Sequence, residues 1–191
     1  MPFWDRPDAR ARAPLHEVVV RAEHIHGDQP RYVTMDVQDF VISMIQTAHY
    51  PRSAVPRDAV VSAAVDFYIC TVENGGHTAF VGNGCWDETL RDDIREGLDR
   101  LGFEALAAIF AELERFAVDE PERFEAIRWD DPTILELDDR FHALPRDALF
   151  ERHADWIRSW PNLQIVPSAQ FGRVIGALAQ RNRKARRWWW Q

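Results

Sequence analysis

The chain has 191 residues, 46% of them apolar, enough for a core of ordinary size, and a formal net charge of −8. No run approaches the roughly 18 apolar residues a membrane span needs, and the opening MPFWDRPDARARAP lacks the apolar centre of a signal peptide, so the expected location is the cytoplasm. An acidic balance of this kind repels nucleic acid and attracts basic partners, so direct binding of double-stranded DNA is not expected.

The charge is unevenly spread. From Arg173 onward there are six basic residues and no acid, which leaves −14 on the remainder, and the imbalance is densest from Asp87 to Asp155, with 21 acids against 9 bases. Cys70 and Cys85 match neither a CxxC redox pair nor a zinc site and read as two reduced, buried thiols.

In chain order, Leu15, Val18, Val19, Ala22 and Ile25 recur as on a helix entered at Pro14, although the VVV run leaves a strand open. Val37, Phe40, Val41, Met44, Ile45 and Ala48 form one apolar stripe, and that helix should end before Pro51. Residues 58 to 74 are apolar on nearly every side and predict a central helix enclosed by others. After Asn74-Gly75-Gly76, Leu90, Ile94, Leu98 and Leu101 make a further stripe, with Gly102 placed as a left-handed C-cap. Leu106, Ile109, Phe110, Leu113 and Phe116 follow in the next helix. Pro121 opens another turn, Ile134, Leu137, Phe141 and Leu144 line a helix ending at Pro145, and Leu149, Trp156, Ile157 and Trp160 complete the series.

Short links between amphipathic helices imply an all-α bundle around the 58–74 helix. Three segments are expected: N-terminal helices over 1–54 packing on the main domain, a helical domain over 55–162, and an appended C-terminal helix with a basic, tryptophan-rich tail over 163–191. That helix runs through Phe171, Val174, Ile175 and Leu178. For the tail RNRKARRWWWQ, docking on the chain's own acidic face or on a second subunit ranks ahead of single-stranded nucleic acid or an anionic membrane surface.

The run VENGGHTAFVGN, then DDIREGLDRLGFEALAAIFAELERF, then LELDDRFHALPRDALFERHADWIRSW, resembles the bacterial DNA-mimic protein family over about residues 55–162. The positions that carry the likeness are Glu73, Asn74, Gly75, Gly76, Phe80 and Asn83, with Leu137, Asp138, Asp139 and Phe141 in the later element; His77 departs from the bulky apolar or aromatic residue usual there. The resemblance implies an all-α fold, often dimeric, and, for one characterised branch, an acidic surface that occupies a DNA-binding protein in place of DNA.

From the residues themselves, Glu88, Asp92, Asp93, Glu96, Asp99, Asp138 and Asp139 are the candidate acidic interaction surface, since helical neighbours at i and i+4 lie roughly 5 to 6 Å apart and can imitate adjacent phosphates. Arg91, Arg95 and Arg100 interleave with them and should neutralise part of that field. The two glycines read as a helix stop with positive φ that turns the chain into a short HTAFVGN segment, with Asn83 bonded across the loop and Phe80 packed inside. The alternative function is a hydrolase built on Glu73, His77 and Asp66, which would require the helix to continue through the glycines. His24 and His26 read as surface residues, and His142 and His153 as surface or partly buried ones. No metal-ligand spacing, cofactor motif or nucleophile elbow is present, so the expectation is a non-catalytic module with a basic, possibly DNA-binding, protein partner.

Overall fold

Proline opens three of the described helices, and an asparagine-glycine-glycine corner kinks a fourth. The computed structural model describes residues 13–187, with side chains as far as Arg181, Gly84 apart; the end of the tryptophan-rich tail, 188–191, lies outside them. Among the described residues there are nine α-helices and one pair of short strands, so the fold is all-α. No described helix is long and apolar enough to cross a membrane. The chain divides into two compact units, one over residues 64–149 and one assembled from the segments before and after it.

In the first unit, the later part of α3 (Arg57–Phe80) leads through a short π-turn (Val81–Cys85) to α4 (Glu88–Leu101), α5 (Glu104–Asp119), α6 (Pro121–Glu125) and α7 (Pro132–His142). Asp87 caps α4 by accepting the Leu90 amide at 3.1 Å, and Gly102 ends it at φ 58°, ψ 36°, the left-handed cap its position predicts. Asp131 caps α7 through the Thr133 amide at 2.9 Å and is itself gripped by both arms of Arg123, at 2.6 and 2.7 Å. The predicted stripes face inward: Leu90, Ile94, Leu98, Leu101, Leu106, Ile109, Phe110, Leu113, Ile134, Leu137 and Phe141 are all buried. Burial of each such side chain contributes about 1.5–3 kcal/mol.

The second unit departs from the expectation at its start. Val18–Arg21 is a strand, β1, and only Ala22–Ile25 is helical (α1). β1 pairs in parallel with β2 (Leu163–Val166), Val18 opposite Leu163 and Arg21 opposite Val166. Three successive β-branched residues suit a strand enclosed on both faces, and Val18, Val19 and Val20 are fully buried. The 3.6-residue spacing of Leu15 to Ile25 was therefore coincidental.

The rest of this unit follows its stripes. Pro30 opens α2 (Pro30–Ile42), a π-turn (Ser43–Thr47) extends it, α8 (Arg146–Arg158) precedes β2, and α9 (Ser168–Arg187) begins where the Glu23 carboxylate accepts the Ser168 amide at 2.9 Å. Asp36, buried in α2, accepts the Arg21 amide at 2.6 Å, the Arg21 guanidinium and His24 Nδ1 at 2.9 Å. His24 is thus half-buried and engaged, contrary to the surface expectation, while His26 is exposed.

Candidate functional site

The Asn-Gly-Gly corner is built by one conformational requirement and one long-range bond set. The incoming arm of α3 ends at Asn74, whose side-chain amide donates to the Cys70 carbonyl at 2.7 Å and so satisfies one open acceptor of the last turn. Gly76 then adopts φ 68°, ψ −178°, a region open essentially to glycine alone. Gly75, at φ −160°, does not need positive φ; its small size matters because a Cβ there would press on that of Ala79. The chain after the corner is helical again from His77 to Phe80 and continues into the π-turn, so the expected loop HTAFVGN is a kinked continuation.

Helix resumption turns His77 fully inward. Its Nδ1 lies 2.5 Å and its backbone N 2.9 Å from Asp138 Oδ1, and its Nε2 lies 2.9 Å from the Tyr68 hydroxyl. The tautomer that satisfies all three donates from Nδ1 to the carboxylate and accepts the phenol proton at Nε2, an assignment made from the network. Burial raises the Asp138 pKa, but the bonds from the His77 ring and amide outweigh it, and the net shift is downward. Burial, helped by the Asp138 charge, pushes the Tyr68 phenol up. Around the pair, Tyr68 meets Phe80 and Phe110 edge-on at 5.0 Å each, and His77 meets Phe141 at 6.0 Å. His77 therefore fills the aromatic space its position calls for and adds a polar tie.

The proposed acid/base trio is not assembled. His77 takes its partners from Tyr68 and Asp138; Glu73 faces Arg146, 3.8 Å away, and Asp66 is buried. Asn83 is exposed, and Cys70 and Cys85 are half-buried thiols, in no disulfide, rather than buried ones. Among the described residues no group of three His, Cys, Asp or Glu side chains could hold a metal.

The acidic positions sort into distinct environments. Asp93 is fully buried on the core side of α4 and presents no charge outward, which removes it from the expected surface. Asp138 is turned to His77. Asp92 pairs with Arg95 at 2.7 Å and Glu96 with Arg100 at 2.5 Å, as the interleaved arginines suggest. Glu88, Asp99 and Asp139 remain exposed. A further cluster, not singled out from the sequence, lies at the end of α5 and on α6: Asp119, Glu122 and Glu125 are exposed, and none has an ion-pair partner among the described residues, because Arg123 is occupied by Glu120 and Asp131.

Beside this cluster runs an open groove of about 460 Å³, lined by Val81, Gly82, Trp86, Ala117, Pro121, Phe124, Glu125 and Ile127. Trp86 and Phe124 form its aromatic wall, centroids 4.8 Å apart, and the Arg91 guanidinium lies 4.8 Å from the Trp86 ring.

The model of the DMP19-like protein family matches residues 53–160, more than half of the chain. The chain belongs to the DMP19-like family. No curated protein and no solved structure was found to match it.

Within this DMP19-like chain, sequence reasoning missed Tyr68 as the second partner of His77 and the α5–α6 acids as the unpaired part of the charge. A signal existed for the latter: Asp119 to Glu125 contains one arginine, and two acids compete for it. The reading of His153 as surface or partly buried also fails. It is fully buried, its Nε2 2.8 Å from Ser62 Oγ and its ring stacked on Trp156, and burial lowers its pKa to about 3.

Proposed function

We propose that this DMP19-like protein is a non-catalytic interaction module of the cytoplasm whose acidic helical surface takes a basic, DNA-binding protein partner in place of DNA. The observation that carries the reading is the exposed, unpaired set Asp119, Glu122 and Glu125. Carboxylates without an arginine at hand project their field outward, whereas the paired acids of α4 spend theirs within the protein. Duplex DNA presents one negative charge per roughly 1.7 Å of axis, and acids one helical turn apart approach the spacing of phosphates along one strand. Glu88, Asp99, Glu136 and Asp139 add exposed charge within the family-matched segment. Membership of a DNA-mimic-like family supplies the kind of partner.

The test is capture of proteins on the immobilised chain at low and high salt, followed by challenge with duplex DNA. The expected outcome is enrichment of basic DNA-binding proteins, released by salt and displaced by the duplex. Capture that duplex DNA leaves untouched, or that survives reversal of Asp119, Glu122 and Glu125 to Lys, overturns the reading.

A further inference from the structure

We propose that the groove lined by Trp86, Phe124 and Ile127 docks the arginine- and tryptophan-rich segment 181–191 of a second copy of the chain. The segment carries Arg181, Arg183, Lys184, Arg186 and Arg187 with no acid, followed directly by Trp188, Trp189 and Trp190. That composition complements the groove in both of its properties. Trp86, half-buried beside the buried Phe124, offers the accessible part of an aromatic ring that an indole can meet edge-on or offset. Glu125 belongs to the lining and Glu122 and Asp119 are exposed in adjoining sequence, so a cation next to the anchoring ring meets carboxylates that no arginine of their own satisfies.

The volume of about 460 Å³ lies within the range of ligand pockets, about 300–1,000 Å³, yet the site is open along its length and suits a segment of chain better than an enclosed small molecule. An anionic occupant, nucleic acid included, would meet Glu125. This goes beyond the mimic reading, because the occupant is the chain itself and the contact has an apolar anchor that DNA lacks.

Gly82 allows a clean test. It lines the groove, and a Cβ built there meets nothing within 4 Å, so a side chain can leave the backbone there without a clash and Gly82→Leu is expected to narrow the site. The receptor is the full chain with Trp188, Trp189 and Trp190 replaced by Ser, and the probe is a labelled peptide RNRKARRWWWQ, followed by fluorescence anisotropy. The expected result is saturable binding, weakened about tenfold or more by Gly82→Leu and by Ile127→Lys, and weakened with a shallower salt dependence by Glu122→Gln with Glu125→Gln. Thermal melting of each variant shows that the fold stands, and loss of binding in either folded groove variant supports the proposal. Absence of binding, or binding that both folded groove variants retain in full, overturns it. A failure here leaves capture of DNA-binding proteins intact, so the two readings fall separately.

Discussion

His77 and Asp138, 61 residues apart in the chain, are joined twice through a single oxygen: the ring Nδ1 at 2.5 Å and the backbone N at 2.9 Å both meet Asp138 Oδ1. The bond set ties the corner of α3 to α7 and leaves no room beside it. A Cβ on Gly76 would collide with the same carboxylate. Glycine at 76 is thus demanded by the backbone angle and by its neighbour together.

Asp138→Ala leaves the buried His77 ring and its amide without their acceptor, which costs about 1–3 kcal/mol, while Asp138→Asn keeps an acceptor oxygen and costs less. Gly76→Ala adds the strain of an unfavourable φ, about 1–3 kcal/mol, to the collision. In the Asp138→Ala background the collision is gone, so Gly76→Ala should cost less there than in the wild type. Urea midpoints for the four chains of this cycle, at constant m-value, measure the coupling; strict additivity would contradict the geometry.

His77→Phe keeps a ring in the aromatic cluster but strips the Tyr68 hydroxyl and Asp138 of their common partner. We expect a loss of about 1–3 kcal/mol, much of it recovered in Tyr68→Phe/His77→Phe, because removing both members of a buried polar contact costs far less than orphaning one. Equilibrium denaturation of the two variants decides it.

Acid should weaken the fold as pH falls below the ordinary histidine value. His153 has a folded pKa of about 3 against an ordinary value of 6.5, so between those limits the unfolded chain binds a proton that the native chain refuses, and stability falls as pH falls. The slope approaches about 1.4 kcal/mol per pH unit below pH 6. Asp138, with its folded pKa lowered, contributes stability that is present above the unfolded carboxylate value and is lost only as pH drops through the lower folded one, so the fall due to His153 begins first and is read between pH 6 and 4.5. Denaturation midpoints of the wild type and of Ser62→Ala/His153→Leu across that window should diverge, the variant showing the flatter profile.

Charge reversal should discriminate between the two acidic groups. Asp92→Lys with Glu96→Lys removes carboxylates already matched by Arg95 and Arg100, and should reduce capture of a basic partner modestly. Asp119→Lys, Glu122→Lys and Glu125→Lys invert charge that is unmatched, and should reduce it more and flatten its salt dependence. Titration of a captured DNA-binding protein against both variants gives the order.

What was legible in the sequence is what local rules decide. The stripes of α4, α5 and α7, the Gly102 cap and the boundaries at Pro51, Pro121 and Pro145 follow from spacing and backbone chemistry alone, and they hold, whereas the helix expected from Pro14 does not form. β1 was ambiguous because three valines fit either period, and what settles them is Leu163–Val166, far along the chain. The Asp138 contact was hidden for the same reason. Asp93 was not hidden: it stands three residues after Leu90 and five before Leu98, on the face those leucines bury, and helical spacing alone would have placed it inside. The tally of charge along the chain could not separate matched from unmatched acids, since Glu112 finds Arg140 and Asp131 finds Arg123 only after folding.

The pairing of Val18–Arg21 with Leu163–Val166 sets a schedule for a chain made from its N-terminus. About 145 residues must be added after the valines before their partner exists, a wait on the order of ten seconds at typical synthesis rates. Throughout that interval the three valines form an adhesive, unsatisfied edge, and by its end all of residues 64–149 have been delivered. A ribosome that stalls short of Leu163 would release a product prone to aggregate through its first strand.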